Sequence, residues 1–191
     1  MPRLTRIQEL PRDRVALELD GQPWRVVPTT AVARAGLCTG QELDRERARA
    51  FRRELRRADA LDVASRVLAR RDAARAELEQ RLERRGVAPA ARDEALERLT
   101  ELGAVDDERF ARSRAAQLAE RGYGDEAIRA DLELRGVAAE ALAEALAGVA
   151  PEVERARPLI AARGVGSKTA AFLGRRGFGE DVLELAAGEA L

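Results

Sequence analysis

Three sets of residues in this chain have types and spacings that could act on a ligand. The first is Gly164-Val165-Gly166-Ser167-Lys168-Thr169-Ala170, which sets two glycines beside the only lysine of the sequence. A nucleotide-binding loop of the form G-x-x-x-x-G-K-[ST] would need glycine at 162 and 167, where Ala162 and Ser167 stand, and no strand pattern precedes it. ATP binding of that kind is excluded. The same turn fits a hairpin that presents backbone N–H groups at a helix N-terminus to a DNA phosphate. The second set, Asp106-Asp107-Glu108, offers three carboxylates in a row. Consecutive residues of a helix do not face one another, so capping of a helix start is the expected role rather than metal binding or acid–base catalysis. The third set comprises Arg52, Arg53, Arg56, Arg57, Arg66, Arg70 and Arg71. The planar guanidinium fork binds phosphate and carboxylate alike, so these arginines could line a partner-binding surface; the alternative is a solvated helix face with local Glu and Asp partners.

Composition removes most other chemistry. There is no histidine and a single cysteine, Cys38. Within one chain that excludes a disulfide, a Cys–His pair, a Ser–His–Asp triad and the usual zinc sites. No catalytic residue, cofactor or metal is expected. The 34 basic and 34 acidic residues cancel, giving no overall attraction to nucleic acid. Their distribution is uneven: residues 45–85 carry 14 arginines against 8 acids, and residues 86–135 carry 8 against 12. No window approaches 18 apolar residues and no apolar run follows a basic start, so a cytoplasmic protein with no membrane contact is expected.

The elements that must position these residues are largely helical. With aromatics at only 3%, the core must come from Leu, Val and Ala. Val15, Leu17 and Leu19 alternate along a strand, Asp20-Gly21 marks a hairpin turn extended by Gln22 and Pro23, and Trp24 and Val26 are the inward residues of the return strand. Leu4–Leu10 adds a third strand, and Trp24 is expected to anchor the hairpin on a neighbour. Thr29 or Thr30 caps a short helix ended by Gly36, and Asp44 opens a polar helix over 44–60 docked through Phe51 and Leu55. Further helices are expected near 60–70, 73–85 and 89–102, with Leu96, Leu99 and Leu102 as the stripe of the last.

One phrase then recurs. Leu78, Leu82, Arg85, Gly86 and Val87 stand 50 positions before Ile128, Leu132, Arg135, Gly136 and Val137. Leu173, Arg176, Gly177 and Phe178 stand 41 positions after Leu132, Arg135, Gly136 and Val137. Arg163-Gly164-Val165-Gly166 likewise echoes Arg121-Gly122-Tyr123-Gly124. The expected fold is therefore mainly α: three tandem three-helix repeats forming an elongated curved solenoid behind a small N-terminal β-hairpin region. The segments are 1–58 (hairpin plus polar helix), 59–104, 105–149 and 150–191. In the last, Val153, Ile160, Phe172, Leu173, Val182 and Leu185 are the expected core.

The stretch from Asp106 to Val137, DDERFARSRAAQLAERGYGDEAIRADLELRGV, preceded by RAELEQRLERRGV and ELGAVDDERF, resembles the RecX family, regulators of the RecA recombinase. The resemblance covers roughly residues 60–150 well and the third copy loosely. It implies a non-enzymatic, monomeric regulator that lodges on the RecA–DNA filament and depresses its assembly, ATP hydrolysis and strand exchange. Weak direct contact with DNA is compatible with that role. On this reading the turn residues Arg121, Tyr123, Arg163 and Lys168 join the arginines as partner-binding candidates. The alternative is a DNA-binding protein that uses the Gly164–Lys168 hairpin and the basic helices.

Overall fold

A computed structural model describes residues 1–188. The described residues form a three-stranded sheet followed by helices, and divide into two compact units. The first unit holds residues 1–71 and 78–104; the second holds Asp72–Glu77 and the chain from Val105 onward.

In the first unit, β1 (Leu4–Leu10), β2 (Arg14–Leu19) and β3 (Gln22–Pro28) form an antiparallel meander. Asp20 and Gly21 have φ of 49° and 78°, the paired left-handed residues of a two-residue hairpin turn, closed by the Leu19–Gln22 pair. Gln22 and Pro23 therefore belong to the strand, not to the loop. The inward face of β3 also differs from the expected alternation. Leu17 lies opposite Arg25 and Glu18 opposite Pro23, so Trp24 is an extra, bulged residue. The bulge moves the pattern by one, which buries Val27 and leaves Val26 47% exposed. Trp24 is 38% exposed, with its ring 5.8 Å from that of Phe51. The buried anchor of the sheet is Phe51 itself, packed with Leu4, Val15, Leu17, Val27 and Val32.

Helix α1 (Thr29–Arg34) follows β3 directly, so that Pro28 occupies the N-cap position and neither Thr29 nor Thr30 caps the helix. Next, α2 runs unbroken from Arg45 to Leu68, with the Asp44 side chain accepting from the Arg47 N–H at 2.7 Å. The two helices expected at 44–60 and 60–70 are thus one. No glycine or proline lies between Asp44 and Leu68 and the stretch is rich in Arg, Ala and Leu, all strong helix formers. Segments 1–58 and 59–104 consequently meet inside α2. Helix α3 (Arg75–Arg84) gives its first residues to the second unit and Leu78 and Leu82 to the core of the first. Helix α4 (Pro89–Glu101) packs on α2. It buries Leu96 and Leu99, but Leu102, expected on the same stripe, is the C-cap residue and is 62% exposed.

The second unit contains α5 (Asp107–Glu120), α6 (Asp125–Leu134) and α7 (Ala139–Ala147), followed by α8 (Glu152–Arg163), α9 (Ser167–Gly174) and α10 (Glu180–Ala187). Phe110, Ala115, Leu118, Ile128, Leu132 and Leu142 form the core of the first three. Ala156, Leu173, Phe178, Val182 and Ala186 form that of the last three, with Val153, Ile160 and Phe172 partly buried. Leu185 is only partly buried; Ala186 and Phe178 take the inner positions.

The recurring phrase has one local geometry at all three places. Gly86, Gly136 and Gly177 have φ of 72°, 72° and 76°. The residue after each glycine donates its N–H to a leucine carbonyl five back: Val87 to Leu82, Val137 to Leu132 and Phe178 to Leu173, at 3.1–3.2 Å. This is the Schellman closure of a helix, with glycine supplying the left-handed residue. Each of those three leucines is fully buried. Ile128 is replaced in the third copy by Thr169, which is buried and donates its hydroxyl to the Gly164 carbonyl at 2.7 Å.

Candidate partner-binding surface

The arginines expected to bind a partner fall into two clusters on the first unit. Residues three and four apart on a helix share a face, and α2 places Arg49, Arg52, Arg53 and Arg56 along one side of an open groove of about 400 Å³. Ala88, Ala90, Ala91 and Glu94, from the start of α4 and the residue before it, complete the lining. Arg66, Arg70 and Arg71 line a second groove, of about 450 Å³, together with Arg81 and Arg85. Arg57 is drawn away from the first cluster by Glu94, 3.5 Å distant. Arg66 is engaged by Asp62 of its own helix. Arg49, Arg81 and Arg85 were missed in the sequence. The spacing of 49, 52, 53 and 56 marks Arg49, whereas Arg81 and Arg85 become neighbours of α2 only through the packing of α3.

Among the described residues, Arg49, Arg52, Arg56, Arg70, Arg81 and Arg85 have no carboxylate within 4.0 Å. Arg52 donates its Nε to the Ala48 carbonyl at 3.1 Å, which fixes the side chain along the helix. At Arg52 charge is thus held in place without being neutralised by a carboxylate, the condition under which an arginine can bind an external anion.

The candidates in the second unit have a different setting. Arg176 stacks on Tyr123 at 5.1 Å and on Phe172 at 4.9 Å, and Arg163 lies 3.9 Å from the centre of the Phe172 ring. Tyr123 and Arg163 are therefore two members of one cation–π ladder. Arg121 is exposed, and its carbonyl accepts from Arg176 Nη1 at 2.6 Å. Lys168 is exposed in the first turn of α9. The Gly166 N–H, which a phosphate-binding hairpin would offer outward, donates to the Ala186 carbonyl at 2.8 Å.

The glycines of the Arg121–Gly124 turn have a packing cause. A Cβ on Gly124 would stand 2.1 Å from the Gly177 carbonyl oxygen, and one on Gly177 would stand 2.4 Å from the Ala127 nitrogen. Through that approach the open N–H groups at the start of α6 are satisfied: Gly124 donates to Arg176 O at 2.8 Å and Glu126 to Gly177 O at 3.1 Å. Glu152 completes the cap, accepting from the N–H of Asp125 through one oxygen and from that of Gly179, at 2.9 Å, through the other. Arg155, its side chain 7% exposed, donates to the Tyr123 carbonyl and to Asp125. The same device occurs one repeat earlier. Arg75, 50 positions before Asp125, donates its N–H at 2.8 Å to Asp107, which, like Glu152, opens the following helix. Asp106 caps its own helix by accepting from the Arg109 N–H at 2.8 Å. Both aspartates are thus spent on helix starts, and no cluster suited to a metal occurs among the described residues. Asp131 is held by Arg114 through two bonds of 2.8 and 2.9 Å and by Arg135 at 2.8 Å. These hydrogen bonds, that of Arg114 foremost, lower its pKa to about 2.

The architecture is that of a helical repeat protein with a set of arginines on one unit that have no carboxylate partner among the described residues. The model of the second three-helix domain of RecX matches residues 106–146. Proteins named regulatory protein RecX from Stenotrophomonas maltophilia and Halorhodospira halophila are 34% and 38% identical over 63% and 68% of this chain, and over 80% and 86% of their own length. The relative from Chromohalobacter salexigens is 39% identical over 49% of this chain, and the match spans 62% of that protein, slightly under two thirds. A crystal structure of regulatory protein RecX has the same fold, with a TM-score of 0.80 at 20% identity over 97% of this chain and 98% of that one. RecX from Lactobacillus salivarius gives 0.60 at 19% identity over 69% of this chain and 94% of that one. The chain belongs to the RecX family of regulatory proteins. No helix among the described residues is long and apolar enough to cross a membrane.

Proposed function

We propose that this protein binds the RecA recombinase, chiefly as its filament on DNA, and restrains filament assembly, ATP hydrolysis and strand exchange. It does so as a cytoplasmic monomer and not as an enzyme. Membership of a family of regulatory proteins supports the reading, and the observation that carries it is the set of first-unit arginines, Arg49, Arg52, Arg56, Arg70, Arg81 and Arg85, that have no carboxylate partner among the described residues. A stable protein has little reason to keep like charges three and four residues apart on a helix, where each such pair costs a few tenths of a kcal/mol. An external anionic surface supplies the reason. On this proposal residues 59–104, 105–149 and 150–191 act as three equivalent three-helix units. Contacts spread over several units gain from effective concentration on a polymer that repeats its own surface. Arg121, Tyr123, Arg163 and Lys168 are secondary contacts. The DNA-binding alternative through Gly164–Lys168 is weaker, because the Gly166 N–H already donates to Ala186.

The experiment compares binding of the full chain to assembled recombinase filament, free recombinase and single-stranded DNA at moderate salt, with ATP hydrolysis followed in parallel. The filament is expected to bind tightest and its hydrolysis to slow. Equal affinity for naked DNA would overturn the reading.

A further inference from the structure

The groove between α2 and the start of α4 has two unlike walls. Arg49, Arg52, Arg53 and Arg56 form the rim, and Ala88, Ala90 and Ala91 give a floor of methyl groups. At 1.5 Å per residue the rim extends about 10 Å along α2, roughly two turns of helix. Arg52 and Arg56 are exposed and have no carboxylate partner among the described residues.

We propose that this groove seats an acidic, amphipathic helical segment of a partner protein. Carboxylates one turn apart lie on the arginine rim and small apolar side chains on the alanine floor. The inference rests on the filament reading and deepens it by naming the kind of partner surface that the first unit grips. Three observations favour a protein segment over a nucleic acid. An alanine floor gains by covering apolar side chains and gains nothing from a phosphodiester backbone. Glu94 also lines the groove, so a continuous row of phosphates would meet a carboxylate, whereas a peptide can set a neutral residue there. Finally, Trp24, the one tryptophan, sits beside Phe51 with Arg25 over its ring at 5.4 Å, an arrangement of packing rather than a row of stacking platforms for bases.

The test uses the full chain and two fluorescent probes. One is a synthetic helical peptide with glutamates at three- and four-residue spacing beside an alanine face; the other is a single-stranded oligonucleotide. The glutamate peptide is expected to bind and its glutamine counterpart to fail. Arg52→Glu with Arg56→Glu is expected to weaken the peptide by roughly tenfold or more. Ala90→Arg separates the two ligand classes, because it adds a cation to the groove while filling its floor. Ala90 is exposed, so folding is unaffected and is checked by circular dichroism. Loss of peptide binding and weaker filament binding in Ala90→Arg support the proposal. Tighter oligonucleotide binding in that variant, or displacement of the peptide by oligonucleotide, assigns the groove to phosphate and overturns it. Filament binding unchanged in both variants also overturns it while leaving the filament reading intact. A wild-type chain that ignores filament overturns the reading itself.

Discussion

Along α2 in the first unit, Arg49, Arg52 and Arg56 stand without a carboxylate partner among the described residues. In the second unit Arg114 and Arg135 share Asp131, Arg155 reaches Asp125, and Arg176 donates to the carbonyls of Arg121 and Gly122. The residue type is the same, although the sequence around it is richer in arginine along α2 and α3, where residues 45–85 carry 14 arginines against 8 acids. What differs is whether the local fold supplies an acceptor. Where it does, arginine is a brace that closes helix ends. Where it does not, arginine is a surface awaiting an anion. The comparison makes definite demands on mutants: changes in the second unit should act on stability, and changes on the face of the first should act on binding.

The largest expected effect is at the shared leucine of the second unit. Leu132 is fully buried, and Leu132→Ala should cost about 2–5 kcal/mol in chemical denaturation. A loss below about 1 kcal/mol would mean that the recurring phrase does not define the core. Next is the brace itself. Arg155→Ala removes the donors from the Tyr123 carbonyl and from Asp125 in a site where the arginine side chain is 7% exposed. It should destabilise by about 1–3 kcal/mol, as for charge-assisted hydrogen bonds lost at a partly buried site, since the Asp125 side chain left behind is 40% exposed. Arg56→Ala on the first unit should stay within about 0.5 kcal/mol. Equal costs for the two would erase the distinction between brace and surface.

A milder test is acidity. Asp131 is depressed to about 2 from an ordinary value of 3.8, chiefly by the hydrogen bond from Arg114. Because the folded value lies below the unfolded one, its contribution is complete above about pH 4 and fades as pH falls toward 2. Asp131→Asn should lower stability at neutral pH and flatten the dependence between those limits. An unchanged acid limb would mean that the ion-pair cluster around Asp131 contributes nothing.

The sequence made the recurring phrase readable because each of its residues has one local task. Leucine fills the core, glycine takes the left-handed turn, and the next residue closes the helix on that leucine. The beginnings of the helices were only half legible. Asp106 as a cap follows from its position, but Asp107 accepting from Arg75, and Glu152 from Asp125, depend on how successive helices meet. The glycine at 124 looked like part of a turn, and its stronger reason is the approach of Gly177. The bulge at Trp24 was hidden because alternation in a single strand says nothing of its partner's register. Of the candidate surface, the arginines were visible and the alanine floor was not, since alanines at 88, 90 and 91 look like any others until α4 packs on α2.

Cutting the chain after residue 150 would sharpen the picture of the braces. It removes Glu152, Arg155, Arg176 and Gly177 together, and so leaves the start of α6 without its acceptors. The truncated chain should lose stability in α6 as well as affinity, seen as faster amide exchange at Gly124, Asp125 and Glu126. Unchanged protection there would show that the cap contributes little.

The most direct measurement of the central claim is the salt dependence of filament affinity for the wild type beside Arg52→Glu/Arg56→Glu/Arg70→Glu, with unfolding curves recorded on the same samples. The account predicts that the variant unfolds at nearly the same denaturant concentration, binds filament about tenfold or more weakly at low salt, and shows a flatter salt dependence. Wild-type affinity and slope in the variant would contradict it, and would return these arginines to an ordinary solvated helix face.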